Sequence, residues 1–113
     1  MQQLKNLKTL SMTATVAAVV GESRVVINKG ANDGIMFGQR FTLYELSEQD
    51  IIDPASGESL GRLETIKGTG KVVHIQDKLS IIEAIHDNPY IDFLGNTKES
   101  FKDPKVGDKA RPI

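Results

Sequence analysis

Few residues in this chain could do chemistry, and their spacing argues against most of it. There are two histidines, His74 and His86, and no cysteine. The missing cysteines exclude disulfides, thiolate metal sites and a Cys nucleophile. His74 falls inside a strand-like run and His86 just after another. Two histidines with no ligand spacing read as solvated or hydrogen-bonded side chains rather than a metal centre. Asp87 and Asp92 near His86 could gather around a cation, but acidic loop residues are ordinarily solvated. We therefore expect no metal and no cofactor.

The glycine-bearing stretches invite ion and phosphate sites, and each fails on position. The run from Asn28 to Gly34 looks like the start of a calcium loop. An EF-hand needs Gly at its sixth position and Glu at its twelfth, where Asp33 and Gln39 stand. Gly68-Thr69-Gly70-Lys71 is spelled like the end of a phosphate loop. Thr65 stands where that motif needs its first Gly, Val72 follows the lysine, and no helix opens there. Gly57-Glu58-Ser59-Leu60-Gly61 has the letters of a nucleophile elbow, but Leu60 leads into a strand and not into a helix. The carboxylate pairs Asp50/Asp53 and Glu45/Glu48 lie in or beside a polar loop and read as solvated. Arg62, Lys67, Lys71 and Lys78 form a mild basic cluster, with Glu64 and Asp77 interleaved. A nucleic-acid groove wants a net basic face with exposed aromatics. With no catalytic constellation, the expectation is that the chain is not an enzyme.

Composition bounds the rest. At 113 residues a single domain is expected. Basic residues number 14 and acidic residues 15, for a formal net charge of −1. That balance argues against nucleic acid and against an anionic membrane surface as partners. No run approaches the ~18–20 apolar residues of a membrane helix, so no membrane insertion is expected. Lys5 and Lys8 precede a mildly apolar run that faintly suggests a signal peptide. Thr and Ser interrupt it and no small-x-small cleavage pattern follows, so we read a strand there. The composition fits cytoplasm or periplasm alike. With no Trp and 5% aromatic residues, the core must rest on Ile, Val, Leu and a few Phe.

The elements follow from alternation and turn chemistry. Residues 1–10 carry Leu4, Leu7 and Leu10 at helical spacing but are too short to hold a helix, and read as a flexible lead-in. A single domain then spans 11–113. Ser11–Val20 is rich in Thr and Val and reads as a strand, with Met12, Ala14, Val16 and Ala18 on one face. Gly21-Glu22-Ser23 turns it into a second strand, Arg24–Asn28. Gly30 and Gly34 suit positive φ, and Asn32 and Asp33 suit Asx-turns. Ile35, Met36 and Phe37 read as an apolar plug. Gly38 turns the chain into the strand Arg40–Leu46, where Phe41, Leu43 and Glu45 share one face. Asp53-Pro54-Ala55-Ser56-Gly57 is strong turn chemistry within the polar excursion 47–59, a loop or short ribbon. Leu60–Ile75 reads as one long strand, kinked or bulged at Gly68 and Gly70. Leu79–Ile85 is a further strand, or else the start of a helix. His86–Asp103 is an irregular insert, and 108–111 a last strand that closes the sheet. The sum is an all-β, six-stranded small barrel of the SH3/OB-like kind, with Gly-rich turns and little helix. Closure is attractive because six strands in an open sheet would leave two edges bare.

Three stretches carry a resemblance: VVINKGANDGIMFGQRFTLYEL, DPASGESLGRLE and GKVVHIQDKLSIIEA. Together they resemble the C-terminal domain of the bacterial flagellar assembly protein T and, more distantly, the β-barrel modules of cell-envelope proteins such as the rod-shape protein MreC. Asn28, Gly30, Gly34, Gly38 and Phe41 fill the first part of the pattern. Asp53, Pro54, Ser56, Gly57, Glu58, Leu60 and Gly61 fill the second, and Gly70, Val72, Leu79 and Ser80 the third. The likeness spans roughly residues 12 to 85 and rests mostly on turn glycines. It implies a small barrel acting as a protein–protein interaction or assembly module, with no catalytic residues to carry over.

The functional expectation is therefore a non-enzymatic module whose partner is a protein, a second copy of itself included. Tyr90, Phe93 and Phe101 in the insert are the candidate contact surface, or else they cap the open end of the barrel. The alternative is a barrel mouth that binds a small ligand, a nucleotide or single-stranded nucleic acid, using the basic residues near Gly68–Lys71.

Overall fold

The computed structural model describes residues 13–86 and 99–113. Residues 1–10, most of the insert 86–103, and with it Tyr90 and Phe93, lie outside the described residues. Six strands are present: β1 (Ala14–Val19), β2 (Arg24–Ile27), β3 (Arg40–Ile52), β4 (Ser59–Ile75), β5 (Ser80–Ile85) and β6 (Lys109–Pro112). They close as an antiparallel barrel in the order β1-β2-β5-β4-β3-β6. Helix among the described residues is confined to one 3-10 turn, Ala31–Asp33. None there is long and apolar enough to cross a membrane. The all-β barrel expected from patterning is the fold observed.

Period-2 alternation builds the core. Ala14 and Val16 point inward from β1, Val25 and Ile27 from β2, and Phe41 and Leu43 from β3. Val72, Ile82, Ala84 and Ala110 complete the ring from the other strands. A side chain on one face of a pleated strand recurs every second residue, so each strand contributes one or two such layers. The inward face of β1 stops at Val16. Pairing with β2 slips between Val16 and Ala18, and Ala18 is only partly covered.

The Gly30–Gly38 connection departs from expectation in three ways. Gly34 and Gly38 do take positive φ, at 81° and 79°. Gly30 does not; its φ of −142° is extended. Gly is required there for space. A Cβ would sit 2.6 Å from Leu79 N and 2.7 Å from Asp77 O, and closer still to Gln76 O. The chain is clamped against the β4–β5 turn at this point, with Ala31 N donating to Gln76 O at 2.9 Å and Asn32 N to Asp77 O at 3.0 Å. Asp33 does not form the expected Asx-turn; it folds back on the turn before it, its Oδ2 accepting from Gly30 N at 3.0 Å, while Ile35 N donates to Gly30 O. The apolar plug is smaller than the triplet suggested. Ile35 is buried, while Met36 and Phe37 are 70% and 71% exposed. Only one of three consecutive residues can face inward as the chain rounds the end of the barrel.

Phe101 follows the capping alternative and not the contact-surface one. It belongs to the core, 4% exposed, and is not part of an open surface. Its ring lies over Gly68 and Gly70, where a Cβ would come within 3.2 and 2.9 Å of it. Phe101 N donates to Glu22 O at 2.9 Å, fixing the returning chain across the β1–β2 turn. The two β4 glycines thus make a seat for an aromatic side chain that closes one end of the barrel.

Candidate functional site

β3 and β4 are longer than the barrel needs. β3 pairs with β6 only over Phe41–Tyr44, and β4 pairs with β5 only over Thr69–Ile75. Beyond those limits, among the described residues, the two strands pair with each other alone, as far as Ile52↔Ser59. The result is a two-stranded arm that leaves the barrel near Glu45 and Ile66. Asp53-Pro54-Ala55-Ser56-Gly57 closes its tip as the turn chemistry predicts. Asp53 Oδ1 accepts from Ala55 N at 2.8 Å, Gly57 N donates to Asp53 O at 2.8 Å, and Gly57 has φ 76°. The polar excursion 47–59 is thus a ribbon, and most of its residues are strand.

The root of the arm is pinned by charge. In β4 Lys67 has no pairing partner, standing between Gly68, opposite Leu43, and Ile66, opposite Tyr44. This is the bulge that Gly68 and Gly70 announce. It drives the Lys67 side chain toward the barrel end, where it is 4% exposed. Its Nζ lies 2.8 Å from Asp108 Oδ2 and 2.9 Å from Glu45 Oε1, and donates to Asp103 O at 2.8 Å. Asp108 Oδ2 also accepts from Lys105 N at 2.8 Å. Glu45 reaches this cluster because it shares the inward face of Phe41 and Leu43. Burial pulls the Lys67 ammonium down, but the Asp108 and Glu45 carboxylates outweigh it and hold Lys67 above its ordinary value. The hydrogen bond from Lys67 holds Glu45 below the usual carboxylate range. On the outer face Arg111 stacks 4.5 Å from the centroid of the Tyr44 ring and pairs with Glu64 at 2.9 Å. The hydrogen bond to Glu64 raises Arg111.

The arm itself is wet and partly apolar. Ile51, Ile52, Leu60, Leu63 and Ile66 are 46–63% exposed. Its edges differ. On β3, Ser47, Glu48 and Gln49 together oppose Leu63, between the pairs Leu46↔Glu64 and Asp50↔Arg62, so that edge is irregular and acidic. Leu63 N donates to Ser47 Oγ at 2.9 Å, and Arg62 Nε donates to Ser47 O. On β4, the segment 62–66 opposes β3 with one residue per step at Glu45 and Leu46.

The remaining chemistry-bearing residues are dispersed. His74 Nε2 is 3.1 Å from Gln76 Oε1 on the surface, and His86 Nε2 lies against Glu99 Oε1. Among the described residues no group of three or more His, Asp or Glu side chains could hold a metal ion. The expected basic cluster does not share a surface: Lys67 is buried in ion pairs and Arg62 lies out on the arm. A cleft of about 430 Å³ at the barrel end is bordered by Ile66, Lys67, Gly68, Ile85, His86 and Glu99. Of the basic groups at its wall, Lys67 and His86 already face carboxylates, and Lys102 also borders it.

Sequence reading located the tip turn and the bulge but missed the arm's exposed edge and the buried cation. Leu60, Leu63 and Ile66 were the available signal, since three apolar residues at that spacing cannot all lie on one face of a strand. No family model matches the chain, and no curated protein matches it.

Proposed function

We propose that this chain is a non-enzymatic interaction or assembly module in which the barrel is the scaffold and the β3–β4 arm is the contact element for a protein partner. The observation that carries this reading is the arm: a two-stranded ribbon outside the barrel with five large aliphatic side chains about half exposed. A two-stranded ribbon alone in water is marginally stable, and bare strand edges are an aggregation liability. An arm of that kind, held at its root by an ion cluster and a stacked arginine, is suited to meet another chain. The likeness of residues 12 to 85 to the C-terminal domain of the flagellar assembly protein T points the same way, toward assembly and not turnover.

The test is site-specific photo-crosslinking in the source cell. A crosslinker at Ile52 or Leu60 should yield protein adducts, and one at Met36 or Val19 should not. Adducts from the barrel positions alone, or from none, would overturn the reading.

A further inference from the structure

We infer that the outer edge of β4 in the arm pairs antiparallel with the same edge of a second copy, centred on Leu63, so that two arms join into one four-stranded sheet. This rests on the reading of the arm as the protein contact and names its partner.

Three observations carry it. The first is which edge is available among the described residues. The β3 edge of the arm is interrupted by the Ser47–Gln49 bulge and carries Glu45, Glu48 and Asp50. Bulges and like charges are devices that blunt an edge. The β4 edge carries one charge of each sign, Arg62 and Glu64, with aliphatic neighbours.

The second is hydrogen-bond phase. Leu63 N is turned toward β3, where it donates to Ser47 Oγ. Backbone groups of successive strand residues point to alternate edges, so those of Arg62 and Glu64 face outward. They are the groups a new strand must meet. Pairing centred on Leu63 matches Arg62 with the partner's Glu64 as a hydrogen-bonded pair and sets Leu63 opposite its own copy as a non-hydrogen-bonded pair.

The third is charge complementarity. Antiparallel pairing of identical strands about a two-fold axis must centre on a residue, because opposed side chains lie on the same face. Centring on Arg62 would oppose two arginines, and centring on Glu64 two glutamates. Centring on Leu63 alone makes two Arg–Glu pairs and places Leu63 against Leu63. Both Glu64 oxygens meet Arg111 Nη1, at 2.9 and 3.0 Å, and keep lone pairs for a further donor, while Arg62 donates through Nε and has its Nη groups to offer. The joined sheet also resolves the marginal stability of a lone ribbon. The contact is short, and a weak, concentration-dependent dimer follows.

The experiment uses the full chain, which has no cysteine of its own. Under mild oxidation Leu63→Cys should form a disulfide-linked dimer, since non-hydrogen-bonded partners have Cα atoms about 4.5 Å apart. Leu60→Cys should not, because its two copies would lie about 20 Å apart along the strands. In sedimentation equilibrium, Arg62→Glu and Glu64→Arg should each weaken self-association by about tenfold or more. An equimolar mixture of the two variants should recover it, because every opposed pair is again of opposite sign. Unchanged thermal melting of each variant would show that the barrel is intact. Self-association that persists while Leu63→Cys fails to cross-link and the mixture fails to recover would overturn this inference and leave the protein-contact reading standing. A chain that stays monomeric to about 1 mM would overturn it as well, and photo-crosslinking from the arm then judges the broader reading separately.

Discussion

Lys67 Nζ lies 2.8 Å from Asp108 Oδ2, with the two side chains 4% and 2% exposed. This buried pair ties the bulge of β4 to the entrance of β6 and fixes where the arm leaves the barrel. Removing one partner leaves an uncompensated buried charge, which typically costs about 3–5 kcal/mol. Lys67→Met or Asp108→Leu alone should therefore lower stability by that order in urea unfolding. The double variant Lys67→Met/Asp108→Leu should recover most of the loss, because neither charge then remains to be desolvated.

The same cluster sets a pH window. Lys67 is held above its ordinary value, so its contribution is complete below the unfolded lysine pKa of about 10.4 and is lost as pH rises through the folded value. Glu45 is held below its ordinary value, so its contribution is present above the unfolded glutamate pKa of about 4.3 and is lost as pH falls through the folded value. Melting temperature should form a plateau between these limits. Melting curves of Lys67→Met across the same pH range should show both limbs flattened.

Gly30 and Gly34 should respond differently to substitution. Gly30→Ala drives a Cβ into the backbone of the β4–β5 turn and should cost several kcal/mol, on the order of the overpacking penalty. Gly34→Val meets no atom within 4 Å, but φ is 81°, so the cost is backbone strain of roughly 1–3 kcal/mol. Chemical denaturation of the two variants checks the order.

Phe101→Ala should cost about 3–5 kcal/mol, the usual loss for a large aromatic removed from a core. Gly70→Ala should also destabilise, because its Cβ would press on the same ring at 2.9 Å. Combining the two should be less than additive, since the smaller side chain leaves room for the new methyl. A double-mutant cycle in urea measures this coupling.

Met36→Gln and Phe37→Gln, singly or together, should change stability by no more than about 0.5 kcal/mol each, as is usual for exposed positions. A loss as large as that of a core residue would mean that the side chains are covered by another molecule in solution.

The sequence by itself determined the strands, their turns and the bulge. Alternation in Phe41, Leu43 and Glu45 was enough to place a carboxylate on the inner face, and Asp53-Pro54 with Gly57 was enough to build the tip of the arm. These are local rules, acting through neighbours two to four residues away. Only the tertiary structure decided that Ile35 alone of its triplet turns inward, that Phe101 seats on Gly68 and Gly70, and that Lys67 is buried. Lys67 and Asp108 are 41 residues apart in the chain, and no local pattern marks a lysine for burial before its carboxylate arrives. The exposure of Leu60, Leu63 and Ile66 was hidden for the same reason. An apolar strand residue becomes core or surface according to whether a neighbouring strand continues beside it, and here β5 and β6 stop before the arm begins.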